Sequence, residues 1–373
     1  MAGTVIIQRT IPHYRIPLFR ALNERFGIKV VTAADPPQGT GLKLVSEELA
    51  DIVVPSPFRF PQPAVAERAR YPIHWIVEHL APDTVVSEFG LRQSSAWGLP
   101  IARHRGRFRR LIFWTHGWMM ERGFRKPTDL ASQYARLPPF AAADVLATYS
   151  EEGAHWLRRV LPWKPVVALG NPLDHRVVRA AAAEAAPIRH GEPQFLSIGR
   201  LKADKGFDLV LDAFRRVRAV LPDAALTIIG DGPERTALEA LAGADLGGSV
   251  RFCGALYDER DLAPHFLGAD LYLLGGAAGL SVNHALAYGL PVAAFPRTPA
   301  GPFHHPEIEY VVHDQTGLLV DRYDTAAMAD AVIAAFRNSR LGAIRAKMAT
   351  APQGPTIESF VANFGRVLEA ADR

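Results

Sequence analysis

The chain is poor in cysteine. Cys253 is the single one in 373 residues, so no intrachain disulfide can form and no cysteine cluster can bind a metal. Asp-x-Asp occurs nowhere, and a diphosphate site built on a metal between paired aspartates is not expected. The G-x-x-x-x-G-K-[ST] order is missing, and no G-x-G-x-x-G follows the first apolar segment. A P-loop and a dinucleotide cofactor are therefore not expected. No apolar run approaches the length of a bilayer span. At the N-terminus, Val5–Ile7 is broken at once by Gln8 and Arg9, too short a run for a signal peptide. Repeats and low-complexity tracts are absent, and a reducing, cytoplasmic location is expected.

What is present is ordinary in composition and uneven in charge. Hydrophobic residues make up 49% and charged residues 21%, as in a globular protein with room for two domains. Residues 1–175 hold 22 Lys/Arg against 15 Asp/Glu, whereas residues 176–373 hold 20 against 23. The basic excess peaks at Arg103, Arg105, Arg107, Arg109 and Arg110, followed by Arg122, Arg125 and Lys126. Such a half either faces an anionic partner or is a solvated loop.

Short apolar runs alternate with amphipathic segments. Strands are expected at Thr4–Gln8, Ile28–Thr32, Thr84–Ser87, Leu111–Thr115 and Asp144–Tyr149, then at Gln194–Ile198, Ala225–Ile229, Val250–Cys253, Leu271–Leu274 and Val292–Phe295. Helices are expected near 16–26, 72–81, 92–104, 127–138 and 151–160, then 207–220, 233–242, 258–267, 280–288 and 324–338. The alternation implies α/β architecture with parallel sheets covered on both faces, and there are too many strands for one sheet. A boundary is expected near Val167–Pro187, where Asn171-Pro172-Leu173-Asp174 is a turn signal followed by an alanine-rich stretch. In the last segment Ile357, Phe360, Val361, Phe364, Val367 and Leu368 share one helical face that must be buried.

The segment Gly275–Val292 reads GGAAGLSVNHALAYGLPV. An apolar strand meets a glycine-rich turn and then a helix, whose first N–H groups suit a phosphate. Earlier, Gly199-Arg200-Leu201 and Lys205-Gly206 place two cations between a strand and a helix, where they can converge on one diphosphate. Two surface cations on a loop would look the same. Gly230-Asp231-Gly232-Pro233 is a tight strand-to-helix turn. Gly254-Ala255-Leu256 follows a strand end and is either a plain loop or an edge for a nucleobase.

In this order, with Ala143-Asp144…Ser150, Asn171…Asp174, Val250-Arg251-Phe252-Cys253-Gly254, Ala269-Asp270, His284–Val292 and Gly317-Leu318-Leu319-Val320, the pieces resemble the family 4 retaining glycosyltransferases. The likeness covers about residues 144–321, with a looser match at Pro12-His13-Tyr14-Arg15-(x)2-Leu18-Phe19 and His116-Gly117. It implies a GT-B fold: two doubly wound Rossmann-like domains facing a central cleft, with the C-terminal helix crossing back. The N-terminal acceptor-side domain would span 1–170 plus 355–373, and the nucleotide-sugar domain 171–354. By position, Arg200 and Lys205 would grip the donor diphosphate. Backbone of Gly279, Leu280 and Ser281 would meet its phosphates or sugar, and Gly254 and Leu256 would flank the base. His116 would face the donor sugar, with His13 and Arg15 on the acceptor side.

One departure stands out. The family has two glutamates separated by seven residues; Gly276 and His284 stand there. His284 can still hydrogen-bond a ribose hydroxyl, less strongly than a carboxylate, and Glu307 or Glu309 is expected to replace a missing acid. The implied reaction is a retaining, metal-independent transfer from a UDP- or GDP-type donor, a substrate rather than a cofactor. The acceptor would be a cell-surface polysaccharide, lipopolysaccharide or lipid-linked precursor, with no nucleic acid involved. Trp114, Trp118, Met119 and Met120 beside the arginines fit peripheral contact with an anionic membrane. The alternative is a non-catalytic nucleotide-sugar-binding or scaffold subunit.

Overall fold

The computed structural model describes residues 3–32, 48–54, 70–118, 127–243, 245–298, 301–320, 323–350 and 354–372. Met119, Met120, Arg122, Arg125 and Lys126 lie outside the described residues. The chain forms two compact units. One takes the described residues up to Asp174 and from Thr356 onward, and the other takes His175 to Pro355.

The first unit holds β1 (Thr4–Gln8), β2 (Lys29–Thr32), β3 (Thr84–Glu88), β4 (Arg110–Thr115), β5 (Val145–Thr148) and β6 (Val166–Ala168), in the order β2-β1-β3-β4-β5-β6. The second holds β7 (Gln194–Ile198), β8 (Ala225–Ile229), β9 (Val250–Phe252), β10 (Leu271–Leu274), β11 (Val292–Ala294) and β12 (Gly317–Leu319), in the order β12-β11-β10-β7-β8-β9. Every pairing between these strands is parallel. Both faces of such a sheet are buried, so alternate residues serve two cores. Ile6, Val86, Ile112 and Trp114 point into one layer, and Val5, Ile7, Val85, Leu111 and Phe113 into the other. The stripe of the helix Ile357–Asp372 closes the first of these layers through Phe360, Phe364 and Val367.

Several elements differ from the sequence reading. Val166–Ala168 and Gly317–Leu319 are three-residue edge strands, too short to show a period. The alanine-rich stretch within the expected boundary is the helix His175–Glu184, as the strong helix propensity of alanine allows. The segment 127–138 is two helices, Pro127–Tyr134 and Leu137–Ala142, because Pro138 and Pro139 fit a first helical turn and not an interior. A helix over Arg340–Met348 was not expected at all.

Helix starts in the second unit fall into two kinds. Asp258 caps the helix Glu259–Gly268 through the Arg260 N–H, and Asp324 caps Thr325–Arg337 through the Ala326 N–H. The helix Leu280–Ala287 has Gly279 at its cap, no capping side chain and no acid in its first turn. Its leading N–H groups are thus left open to an anion from outside the chain.

Candidate active site

In the second unit β7 has β8 on one side and β10 on the other, so the chain's direction of winding reverses between β7 and β10. Ligands of open α/β sheets sit at the carboxyl end of such a switch point. A cavity of about 190 Å³ opens there, lined by Ser197–Arg200, Lys205, Phe207, Tyr272, Leu274, Ala277 and Gly279–Ser281. It is smaller than the roughly 300 Å³ at the low end of ligand pockets, so it suits part of a ligand, such as a diphosphate.

Two pairs of turns build the walls. The Leu201 N–H donates to the Asp231 carbonyl (2.9 Å) and the Glu234 N–H to the Leu201 carbonyl (3.0 Å). This stitches the Gly-Arg-Leu turn to Gly-Asp-Gly-Pro. On the other side the Ala277 N–H donates to the Asp204 carbonyl at 2.8 Å. Here backbone touches backbone: a Cβ on Gly276 would lie 2.4 Å from the Asp204 carbonyl oxygen and 2.5 Å from the Lys205 carbonyl carbon. Gly276 is therefore a packing requirement, and a glutamate does not fit at that position without moving the turn that carries Lys205.

Lys205 Nζ donates to the Ala277 carbonyl at 2.9 Å and lies 3.3 Å from where a Cβ on Gly279 would be. The ammonium thus stands at the open start of the helix Leu280–Ala287. The exposed Arg200 guanidinium has no bonding partner among the described residues. Ser281 turns its hydroxyl inward, 2.9 Å from the Tyr272 hydroxyl, which also donates to the Ile198 carbonyl at 2.8 Å. Ser281 therefore offers a ligand its N–H, while Tyr272 ties the end of β7 to the helix start.

His284 follows Leu280 by four residues and shares its helix face. Its Nε2 lies 3.2 Å from Glu259 Oε2, and the Tyr288 hydroxyl donates to Glu259 Oε1 at 2.8 Å. Burial pushes the Glu259 carboxyl up, but the bond and charge of His284 and the Tyr288 phenol outweigh this and leave it below the usual range. Burial, with the carboxylate beside it, pushes the Tyr288 phenol up. Glu259 was missed in the sequence because it lies 25 residues from His284; its only local signal was a place one residue after a capping aspartate.

The acids expected to compensate are placed differently. Glu307 is buried in the short 3-10 turn Pro306–Tyr310, while Glu309 is half-buried. Gly254, with φ of +74°, gives its carbonyl to the Gly230 N–H at 2.7 Å, which uses an edge otherwise available to a base. Leu256 packs partly on the core.

His116, His13 and Arg15 all belong to the first unit. His116 follows β4, and its ring stacks on Tyr149 at 4.5 Å between centroids. The Arg15 guanidinium lies 5.5 Å from the ring centroids of both Trp114 and Tyr149 and donates to Asn171 Oδ1 at 3.2 Å. Arg15 is thus already engaged by its own unit. His13 sits in the short turn before the helix Ile16–Phe26, its ring edge-on to Tyr14. Trp114 is fully buried, which removes it from any membrane contact. Of the basic run, Arg103 pairs with Asp144, Arg107 with Glu78, and Arg110 with Asp83 and Asp372. Among the described residues no helix is long and apolar enough to cross a membrane.

Residues 192–338 match the family model described as glycosyl transferases group 1. An uncharacterized glycosyltransferase of Haemophilus influenzae is 29% identical over 150 residues, 39% of this chain and 40% of that protein. The GDP-mannose-dependent alpha-(1-6)-phosphatidylinositol monomannoside mannosyltransferase of Mycolicibacterium smegmatis is 29% identical over 298 residues, 74% of this chain and 72% of that protein. The chain thus spans less than half of the first relative's length. Among solved structures, Anabaena HepE in complex with UDP superimposes with a TM-score of 0.72 at 16% identity, over 99% of this chain and 100% of that one. The cavity at the β7/β10 switch point therefore lies within the stretch that matches the glycosyl transferases group 1 model, in a chain whose two-domain α/β fold is the GT-B fold.

Proposed function

We propose that the chain transfers a sugar from a nucleotide-sugar donor to a glycan or lipid-linked acceptor. The observation that carries this reading is the convergence of Arg200, Lys205 and the uncapped helix start at Gly279 on one small cavity. A leaving diphosphate would be stabilised there by the Lys205 ammonium, already held in place, by the Arg200 guanidinium and by backbone N–H groups at the helix start. The HepE structure holds UDP and the mycobacterial relative is named for GDP-mannose, which supports a nucleotide donor and leaves both bases in play.

In this proposal the N–H groups of Gly279, Leu280 and Ser281 meet phosphate. Leu256, with the neighbouring backbone at Gly254, borders the base. His284 and Glu259 act together on the ribose hydroxyls: the carboxylate orients the imidazole and keeps lone pairs for a hydroxyl. His116 is the catalytic candidate of the first unit, and Glu307 and Glu309 are those of the second. The transfer is retaining and needs no metal. The bond from the anomeric carbon to the diphosphate breaks, the acceptor oxygen bonds to that carbon on the same face, and its proton passes to the leaving phosphate. If Glu307→Gln and Glu309→Gln both leave kcat/KM within about threefold of wild type, these acids have no such role.

The test of the reading is a thermal-shift panel of UDP, GDP, ADP and their sugars. A saturating donor should raise the unfolding midpoint, at 100 times Kd by roughly 2.7 kcal/mol of added stability. No shift across the panel would sink the reading. A non-catalytic nucleotide-sugar-binding subunit is favoured by one observation, the lack of room for an acid at Gly276. Binding with neither donor hydrolysis nor transfer would decide for it.

Peripheral membrane contact is proposed through exposed Trp97 and Ile101 on the helix Ser94–His104, with Arg105 one turn beyond Ile101. Absence of pelleting with anionic vesicles at physiological salt would remove it.

A further inference from the structure

The loop Gly275–Gly279 carries no side chain larger than a methyl group, yet it must hold the carbonyl that holds Lys205. Its anchor away from the Lys205 turn is His304. This residue is fully buried, 0% exposed. The Ala278 N–H donates to its Nδ1 at 3.1 Å, and its Nε2 faces the Phe295 carbonyl at 3.0 Å. An amide can only donate and a carbonyl can only accept, so the two partners together fix a neutral ring with the proton on Nε2. The line of bonds runs from the end of β11 through His304 and Ala278 to Ala277 and the ammonium of Lys205.

We propose that His304 is a positioning residue of the phosphate pocket, fixing through the Ala278 N–H the carbonyls that aim the Lys205 ammonium at a diphosphate. The proposal rests on the donor reading above. It differs from an ordinary buried histidine in one respect. Filling space would need the ring alone, whereas aiming Lys205 needs the Nδ1 acceptor in particular.

Two substitutions separate these functions. His304→Asn places an amide oxygen where Nδ1 accepts and gives up the Phe295 bond. His304→Gln places a donor where Nε2 stands and gives up the acceptor. Affinities for UDP and UMP, and for GDP and GMP, are measured by calorimetry on wild type, both variants and Lys205→Met. The readout is the gain in affinity from the second phosphate, which a general loss of packing would not alter selectively. The expected result is a gain reduced roughly tenfold in His304→Gln, as in Lys205→Met, and largely kept in His304→Asn, the size of one charge-assisted hydrogen bond. An unchanged gain in folded His304→Gln overturns the proposal and leaves the donor reading standing. If wild type binds none of the nucleotides, the donor reading fails and the proposal falls with it. Should His304→Gln not fold, hydrogen exchange of the Ala278 amide in wild type decides. Protection like that of Leu273 and Leu274 supports the proposal, and exchange at the rate of an open loop overturns it.

Discussion

The two units have the same layers and different switch points. In the second, the strand order reverses between β7 and β10, and the ends of those strands are lined by glycine, alanine and two cations. In the first, it reverses between β1 and β3, and the strand ends are filled by their own side chains. There Gln8 is buried, and the Arg9 N–H donates to Glu88 Oε2 at 3.3 Å. Burial, with Glu88 nearby, raises the pKa of the Tyr71 phenol. One architecture thus yields a backbone-lined basic cavity in one unit and a switch point filled by polar side chains, an acid among them, in the other. The fold supplies the place, and the residues just past the strands supply the chemistry.

The comparison can be broken first at its glycines. A Cβ on Gly276 meets backbone at 2.4 Å, whereas one on Gly90, just past β3, meets only the Gln93 side chain at 2.8 Å. Gly276→Ala should cost about 1–3 kcal/mol or more in urea unfolding, and Gly90→Ala less, because a side chain can shift its rotamer where a backbone carbonyl cannot. Equal costs would mean that the second switch point is no more tightly built than the first. Gly276→Glu should be worse still and should not improve transfer, although it introduces the acid that the resemblance would place there.

The next effect is on ligand affinity. Arg200→Met should weaken UDP or GDP binding roughly tenfold or more and leave stability nearly unchanged, since the guanidinium is exposed. Arg9→Met in the first unit should leave nucleotide affinity within about twofold. A loss on Arg9→Met as large as that on Arg200→Met would show that the basic cavity is not the phosphate site.

A smaller effect is read in pH. Burial first, then the nearby charges of Arg297, Lys205 and His305, push His304 down to about 4 against a bond to the Phe295 carbonyl that raises it. The folded state therefore keeps His304 neutral where the unfolded chain, with a pKa near 6.5, binds a proton. The stability contributed is fully present above the unfolded value and is lost as pH falls toward about 4, up to on the order of 3 kcal/mol. Glu259, held below its ordinary value, adds to the acid loss only below about 4.5. The fall in unfolding midpoint between pH 6.5 and 5 should be shallower in His304→Asn than in wild type. Parallel curves would show that His304 does not titrate there.

Much of the second unit was legible because its turns are local. Arg200 and Lys205 are five residues apart, and the glycine turn runs straight into its helix, so each wall of the cavity was legible by itself, while the resemblance implied that the two walls meet. Glu259 with His284 and His304 with Ala278 were not legible, because their contacts cross strands and depend on how helices pack on the sheet. Gly276 was read as a missing side chain, and packing shows it to be a filled position. In the first unit Arg15 looked available from its motif, but the two aromatic rings that engage it lie on β4 and just after β5, far along the chain.

The backbone contacts at the second switch point also bear on inheritance. A Cβ on Gly206 would meet the Gly275 carbonyl carbon at 2.6 Å, and one on Gly275 would meet the Gly206 carbonyl oxygen at 1.9 Å. Each position must lack a Cβ because the backbone of the other passes so close, although 69 positions separate them. A lineage cannot trade one for a larger residue and keep this geometry unless the partner turn withdraws. Change in the two turns should therefore come in joint steps or not at all, which makes this pair a slow-moving marker by which descendants of this chain can be told from proteins that only share its outline.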